Sequence, residues 1–255
     1  MIRPSSISIP WLDDHTPLPP AHTALGPESS LHGLVAAGGG LSVPRLLEAY
    51  RQGIFPWFSQ DQPILWWSTA PRMVLRVKDF KLHRSLKKTI QKFTSQPNMT
   101  IRIDSAFEQV IHRCANVSRQ GQGGTWIVPE MVAAYIDLHQ AGYAHSIETW
   151  VDDQLVGGLY CVALGRAVFG ESMFALQTDA SKIALAALVA FARTHGIAWI
   201  DCQQNTQHLA SLGAREVDRE TFLEWVVQDQ QLKPPIWVFK PQDWQQLWMN
   251  RNRDD

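Results

Sequence analysis

GRAVFGESMFALQTDASKIALAALVAFARTHGIAWIDCQQ, residues Gly165–Gln204, decides the fold. It reads as strand, helix, strand. Ala167 to Phe174 is apolar except for Glu171 and Ser172, which follow Gly170 directly. Thr178 or Asp179 can cap a helix start, and Leu185, Leu188, Val189 and Ala192 then recur at helical spacing. His195-Gly196 is a helix stop, and Ile197 to Ile200 a short buried strand that delivers Asp201 and Gln203 at its C-terminal end. Residues two apart on a strand share a face, so Asp201 and Gln203 are expected to meet. Carboxylates and amides on apolar strands are costly unless paired or used.

Outward from this stretch the chain alternates readable elements. On the N-terminal side His145 to Val151, Leu155 to Leu164 and Ala167 to Phe174 form a meander through the turns Asp152-Asp153-Gln154 and Gly165-Arg166. Gly157-Gly158 inside its second strand signals a bulge or a close backbone approach. Earlier helices are expected over Asp104 to Ala115, with Ser105 and Glu108 as a capping box, and from Pro129 to a stop at Gly142. Gly33 to Leu41 reads as a glycine-rich packing turn, after which Ser42 caps a short helix carrying Leu46, Leu47 and Tyr50. Downstream, His208 to Leu212 is a short helix and Asp218 caps a last one bearing Phe222, Trp225 and Val226.

Composition bounds the function. The chain has 255 residues, 45% hydrophobic and 18% charged, with a net charge of -1. A near-neutral chain attracts polyanions only through a local patch. Residues 72–92 supply one: Arg72, Arg76, Lys78, Lys81, Arg84, Lys87, Lys88 and Lys92 face a single acid, Asp79. Leu82 to Phe93 as a helix would put Arg84, Lys87 and Lys88 on one face. The aromatic run Gly53–Leu75, which includes Trp57, Trp66 and Trp67, belongs to the core of a small N-terminal domain or to a stacking cleft. Three scattered cysteines, Cys114, Cys161 and Cys202, favour a reducing compartment over a disulfide framework. The histidines lie in no HExxH or CxxC pattern, so no metal site is expected. Nor does any apolar run suit a signal peptide or a membrane span.

Nine motifs in one order then carry a resemblance: GIFPWFS (Gly53–Ser59), PILWWS (Pro63–Ser68), GTWI (Gly124–Ile127), HSIE (His145–Glu148), LVGG (Leu155–Gly158), GESMF (Gly170–Phe174), ASK (Ala180–Lys182), IDCQ (Ile200–Gln203) and HLASLGA (His208–Ala214). The chain resembles the leucyl/phenylalanyl-tRNA–protein transferases from about Gly33 to Trp225. Gly40, Thr69-Ala70 and Ala175 depart from the usual pattern outside the GESM and IDCQ motifs.

The resemblance implies an α+β fold: a small N-terminal domain over residues 1–75, and over 76–255 a larger domain like the GCN5-related N-acetyltransferases, with a mostly antiparallel sheet flanked by helices. It implies a cytoplasmic enzyme; because an aminoacyl-tRNA ester is already activated, no cofactor is expected, and a monomer is expected. Leu, Phe or Met would pass from aminoacyl-tRNA to the α-amine of proteins beginning with Lys or Arg, marking them for N-degron proteolysis.

Asp201 and Gln203 would guide the attacking amine, with Glu171 as an ammonium contact. Leu159, Val168, Phe174, Leu185 and Ile200 are candidate linings of the side-chain hole, and Trp67 and Trp126 would stack on the terminal adenosine. Arg84, Lys87, Lys88 and Lys92 are the expected tRNA contacts. An acetyl-CoA-dependent N-acetyltransferase is the first rival; its pyrophosphate turn needs glycine, and ALQTDASK has none. An RNA-binding module without catalysis is the second, and it leaves the acid–amide pair unexplained.

Overall fold

The computed structural model describes residues 8–116 and 127–249. The N-terminal part builds a four-stranded sheet. Strand β1 (Trp11–Leu12) runs parallel to β2 (Leu34–Gly38), and helix α1 (Val43–Arg51) then leads to β3 (Phe55–Pro56) and β4 (Leu65–Trp67), in spatial order β1-β2-β4-β3. The glycine-rich segment expected to be a turn is therefore partly a strand. All five residues of β2 are buried, and the turn begins only at its end, with Gly38 and Gly39 at positive φ. The run LVAA supplies buried side chains that the neighbouring glycines obscure in the sequence.

Strand β5 (Arg72–Arg76) opens the second sheet. Helix α2 (Arg84–Thr94), β6 (Met99–Ile103), α3 (Phe107–Ala115) and α4 (Pro129–Gln140) come next, then the meander β7 (Ala144–Val151), β8 (Gln154–Leu164) and β9 (Ala167–Ala175). Helix α5 (Ala180–His195) crosses to β10 (Trp199–Gln203), and α6 (Gln207–Ser211), β11 (Arg215–Val217) and α7 (Arg219–Asp229) complete the regular elements before a tail with a 3-10 turn at Pro241–Leu247. The sheet order is β11-β5-β10-β9-β8-β7-β6. Its neighbours are antiparallel except β9 and β10, which the α5 crossover makes parallel. The chain is thus mixed α+β. The expected domain boundary after residue 75 falls inside β5, a strand of the larger sheet.

Two cores flank the large sheet. On one face lie α2, the tail and α5, whose residues from Ile183 to Ala192 are all buried, as suits a helix apolar all round. Close approach is what Gly157 provides: a Cβ there would lie 2.5 Å from the Ala180 Cβ at the start of α5. On the other face α1, α3, α4 and α7 share one core with the small sheet. The expected Ser105–Glu108 capping box is absent. Helix α3 starts at Phe107, and the Ser105 hydroxyl and Ala106 N–H both donate to the buried Glu148 of β7. A carboxylate from the neighbouring strand does the capping that local sequence assigned to Glu108. Among the described residues, no helix is long and apolar enough to cross a membrane.

Candidate active site

Two bulges create the site. In β9 the pairing with β8 skips from Gly170 to Ser172, so Glu171 is the extra residue. In β10 the pairing with β5 skips from Asp201 to Gln203, and Gln203 takes a φ of 60°. A bulge re-aims side chains and ends regular pairing. The two parallel strands are paired only at Ile200–Val168 and Asp201–Phe169. Beyond their bulges a cavity of about 440 Å³ opens at their C-terminal ends. Crevices at the carboxyl ends of adjacent parallel strands are favoured ligand sites.

The walls are mainly apolar. Leu159, Met173, Leu185, Leu188 and Ile200 line the cavity, with Trp57 and Phe55 from the small sheet and Thr206, His208 and Leu209 from the segment after β10. Leu159, Leu185 and Ile200 are thus brought together as the sequence suggested. Val168 and Phe174 are not lining residues; both are packed in the cores. The bulge at Glu171 shifts the alternation that follows it, so Phe174 falls in the core on the other face of the sheet, whereas Val168, before the bulge and paired with Ile200, stays packed in the core on the α5 side. Trp67 is also buried, its indole N–H donating to the Trp57 carbonyl at 2.7 Å. Trp57, half-buried and edge-on to Trp67 at 5.7 Å, is the indole among the described residues that reaches the cavity. Trp126 lies outside the described residues.

Asp201 is fully buried and gripped by Arg72, whose Nε and Nη2 donate to its two oxygens at 2.8 and 2.6 Å. Phe55 and Phe222 sandwich the guanidinium at 4.7 and 4.6 Å. Bidentate geometry of this kind makes a buried ion pair tolerable. Arg72, one of the cations of the basic run, therefore belongs to the site and not to a charged surface. The expected meeting of the Asp201 and Gln203 side chains does not occur. Asp201 Oδ1 accepts the Gln203 backbone N–H at 2.9 Å, fixing the bulge, and the Gln203 side chain turns to Glu171, donating from Nε2 to Oε1 at 3.0 Å.

Glu171 also receives two phenols that helical spacing assigns to apolar stripes. Tyr50 of α1 donates to Oε1 at 2.7 Å, Tyr135 of α4 lies 3.3 Å from Oε2, and the two hydroxyls are 2.5 Å apart. Burial pushes the Glu171 carboxyl up to about 7; the Tyr50 hydrogen bond opposes this, the Asp201 charge adds to it, and the Gln203 and Tyr135 bonds oppose it. Burial likewise raises both tyrosines well above their usual value, so each keeps its proton. Cys202, between the two site residues, is pushed up to about 12 by burial and the Asp201 charge, so it stays a thiol and offers no nucleophile. At the rim, burial and the Lys182 charge hold His208 below the ordinary histidine range.

The basic helix α2 packs against α5, whose Leu185 and Leu188 line the cavity. Arg84, Lys88 and Lys92 are exposed along one stripe of α2. Lys87 is half-buried, its ammonium 5.5 Å from the ring of Trp248 in the tail. The His83 ring, just before α2, bonds the Ser211 carbonyl at 2.8 Å, tying the helix start to α6. Among the described residues no three His, Cys, Asp or Glu side chains gather to hold a metal ion.

Residues 74–227 match the model of the leucyl/phenylalanyl-tRNA protein transferase family, and residues 39–70 match the model of that family's N-terminal domain. The chain is 60% identical over 239 residues to the leucyl/phenylalanyl-tRNA–protein transferase of a Polaromonas species, covering 94% of each chain. It is 60% identical to that of Leptothrix cholodnii, over 94% of this chain and 95% of the other, and 58% identical to that of Albidiferax ferrireducens, over 94% of each. A solved structure of a functionally unknown conserved protein from Staphylococcus epidermidis is 11% identical, with a TM-score of 0.33, covering 57% of this chain and 56% of the other. So slight a likeness assigns neither chain the other's fold.

Proposed function

Since the chain belongs to the leucyl/phenylalanyl-tRNA protein transferase family, we propose that its cavity carries out peptide-bond formation between the aminoacyl group of a charged tRNA, Leu, Phe or Met, and the α-amine of a protein beginning with Lys or Arg. The observation that carries the reading is the juxtaposition in one cavity of an apolar wall with the Gln203–Glu171 polar cluster. The wall suits an uncharged side chain, and the cluster suits the reacting amine. This work belongs in the cytoplasm, where charged tRNA is available, and the product would enter N-degron proteolysis.

The reaction balances without outside groups. The amine nitrogen attacks the ester carbonyl, the C–N bond forms, and the C–O bond to the ribose breaks. The proton that the amine loses equals the one that the ribose oxygen gains. An ester is already activated, so the protein must chiefly hold the partners in line and orient the amine. With Nε2 tied to Glu171, Gln203 leaves its carbonyl oxygen to accept a hydrogen bond from the amine. Asp201, held by Arg72, fixes the bulge that presents Gln203 and so acts as a positioning residue. Leu159, Met173, Leu185 and Ile200 receive the donor side chain, and Trp57 offers a face for the terminal adenosine, backed by Trp67. Arg84, Lys88 and Lys92 contact the tRNA backbone as point charges.

The parallel β9–α5–β10 unit within an otherwise antiparallel sheet supports a relation to the GCN5-related N-acetyltransferase fold. CoA is disfavoured as a donor. At the start of α5, where that fold holds a pyrophosphate, stands the carboxylate of Asp179, paired with Lys182 at 2.8 Å. Incubation with Leu-tRNA and an Arg-initiated peptide, in parallel with acetyl-CoA and the same peptide, tests the reading. Leucyl peptide from the first mixture and no acetyl peptide from the second is expected; the reverse overturns it.

A further inference from the structure

Gln203 has a φ of 60°, in the left-handed region that crowds any residue carrying a Cβ. Such a conformation persists only where the surroundings impose it. Two side chains do so here, one on each of its peptide groups. On the N-terminal side Asp201 Oδ1 accepts the Gln203 N–H at 2.9 Å. On the C-terminal side the Thr69 hydroxyl donates to the Gln203 carbonyl at 3.0 Å. Each peptide group is planar, and a residue turns between its two planes through φ and ψ alone. Holding both planes fixes both torsions, and with them the direction in which the Gln203 side chain leaves the backbone. That direction takes Nε2 to Glu171 at 3.0 Å. Asp201 alone would leave ψ free.

Thr69 is half-buried on the short segment that joins β4 of the small sheet to β5 of the large one. The residue before it is anchored on both sides. The Ser68 N–H donates to the Gly33 carbonyl at 2.8 Å, and Arg219, at the start of α7, donates from Nη1 to the Ser68 carbonyl at 3.1 Å. Three residues after Thr69 stands Arg72, whose guanidinium grips Asp201. One short stretch therefore carries both restraints on Gln203: Thr69 acts directly on its carbonyl, and Arg72 acts through Asp201 on its N–H.

We propose that Thr69 is a positioning residue for the transfer reaction: its hydroxyl fixes the Gln203 carbonyl and so aims the Gln203 amide at the attacking amine. This rests on the reading that Gln203 orients that amine. The same contact ties the small sheet, which supplies Phe55 and Trp57 to the cavity, to the bulge that presents Gln203. Thr69 lies outside the GESM and IDCQ motifs, at a position where the chain departs from the usual pattern.

The test is single-turnover transfer of Leu from saturating charged tRNA to a saturating Arg-initiated peptide. Thr69→Val removes the donor and keeps the branched shape. Its rate should fall about five-fold, as the loss of one neutral hydrogen bond predicts, with tRNA affinity unchanged. Thr69→Ser keeps the hydroxyl and should recover most of the rate. The decisive comparison is made in the Gln203→Ala background, where no amide remains to be aimed. There, adding Thr69→Val should lower the already reduced rate no further. A further five-fold loss in that background would make Thr69 a structural contact that acts apart from Gln203, and would overturn the proposal. So would a wild-type rate in folded Thr69→Val; Thr69→Ala serves the same comparison if Thr69→Val does not fold. The parent reading fails separately. A wild-type rate in Gln203→Ala alone would overturn the role of Gln203, and the proposal with it.

Discussion

Arg72 and Asp201 stand 129 residues apart in sequence and 2.6 Å apart in space, and they decide how Gln203 is presented. Removing one partner strands the other's charge. Arg72→Met should cost about 3–5 kcal/mol of stability. The double variant Arg72→Met, Asp201→Leu replaces the pair with apolar groups and should recover most of that loss in urea unfolding. Turnover should stay low, because the Gln203 N–H has lost its acceptor. A stable double variant with near-normal turnover would mean that Asp201 contributes nothing to presenting Gln203. The sequence made Glu171, Asp201 and Gln203 visible as polar groups on apolar strands. It hid Arg72 within a run of cations, because a distant partner leaves no local trace. Tyr50 and Tyr135 were hidden for another reason: helical spacing reports a ring's burial but not where its hydroxyl points. Only the bulges reveal why Asp201 and Gln203, two apart, fail to meet.

Helix α2 shows where local pattern suffices. The helix and its cations were legible from spacing, and Leu86, Ile90 and Phe93 are the buried side chains that anchor it. What spacing could not show is that Lys87 faces Trp248, since the tail that covers it is distant in sequence. Arg84→Glu, Lys88→Glu and Lys92→Glu should each weaken use of charged tRNA and lower the salt dependence of binding by about one unit of slope for every phosphate no longer neutralised. Transfer from a short aminoacyl-adenosine donor should be spared. Lys87→Ala should act on stability more than on salt dependence. Equal loss with both donors in the three exposed variants would make the stripe structural. The buried β2 and the cap that Glu148 supplies to α3 mark the limit of element-scale reading. A glycine-rich strand and a cap from a neighbouring strand both depend on surroundings that the local sequence does not contain.

At the scale of the molecule, the small sheet and one face of the large sheet share a core, so the site is assembled across both. Phe55 and Trp57 come from the small sheet's side, Tyr50 from α1, and the bulged strands from the large sheet. The strand–helix–strand unit was legible because its apolar periods are local; the seam between the sheets was not, because no motif encodes a contact between the two parts. The central claim is that this cavity receives the donor's side chain. Met173, half-buried and on the cavity wall, gives access to it with little disturbance of the core. The measurement is single-turnover transfer of Leu from charged tRNA to an Arg-initiated peptide by Met173→Trp, alongside its unfolding temperature and tRNA affinity. The bulky indole should fill the hole and reduce transfer about ten-fold or more, with folding and tRNA binding retained. Wild-type transfer by a folded Met173→Trp protein would contradict the claim and put the donor side chain elsewhere.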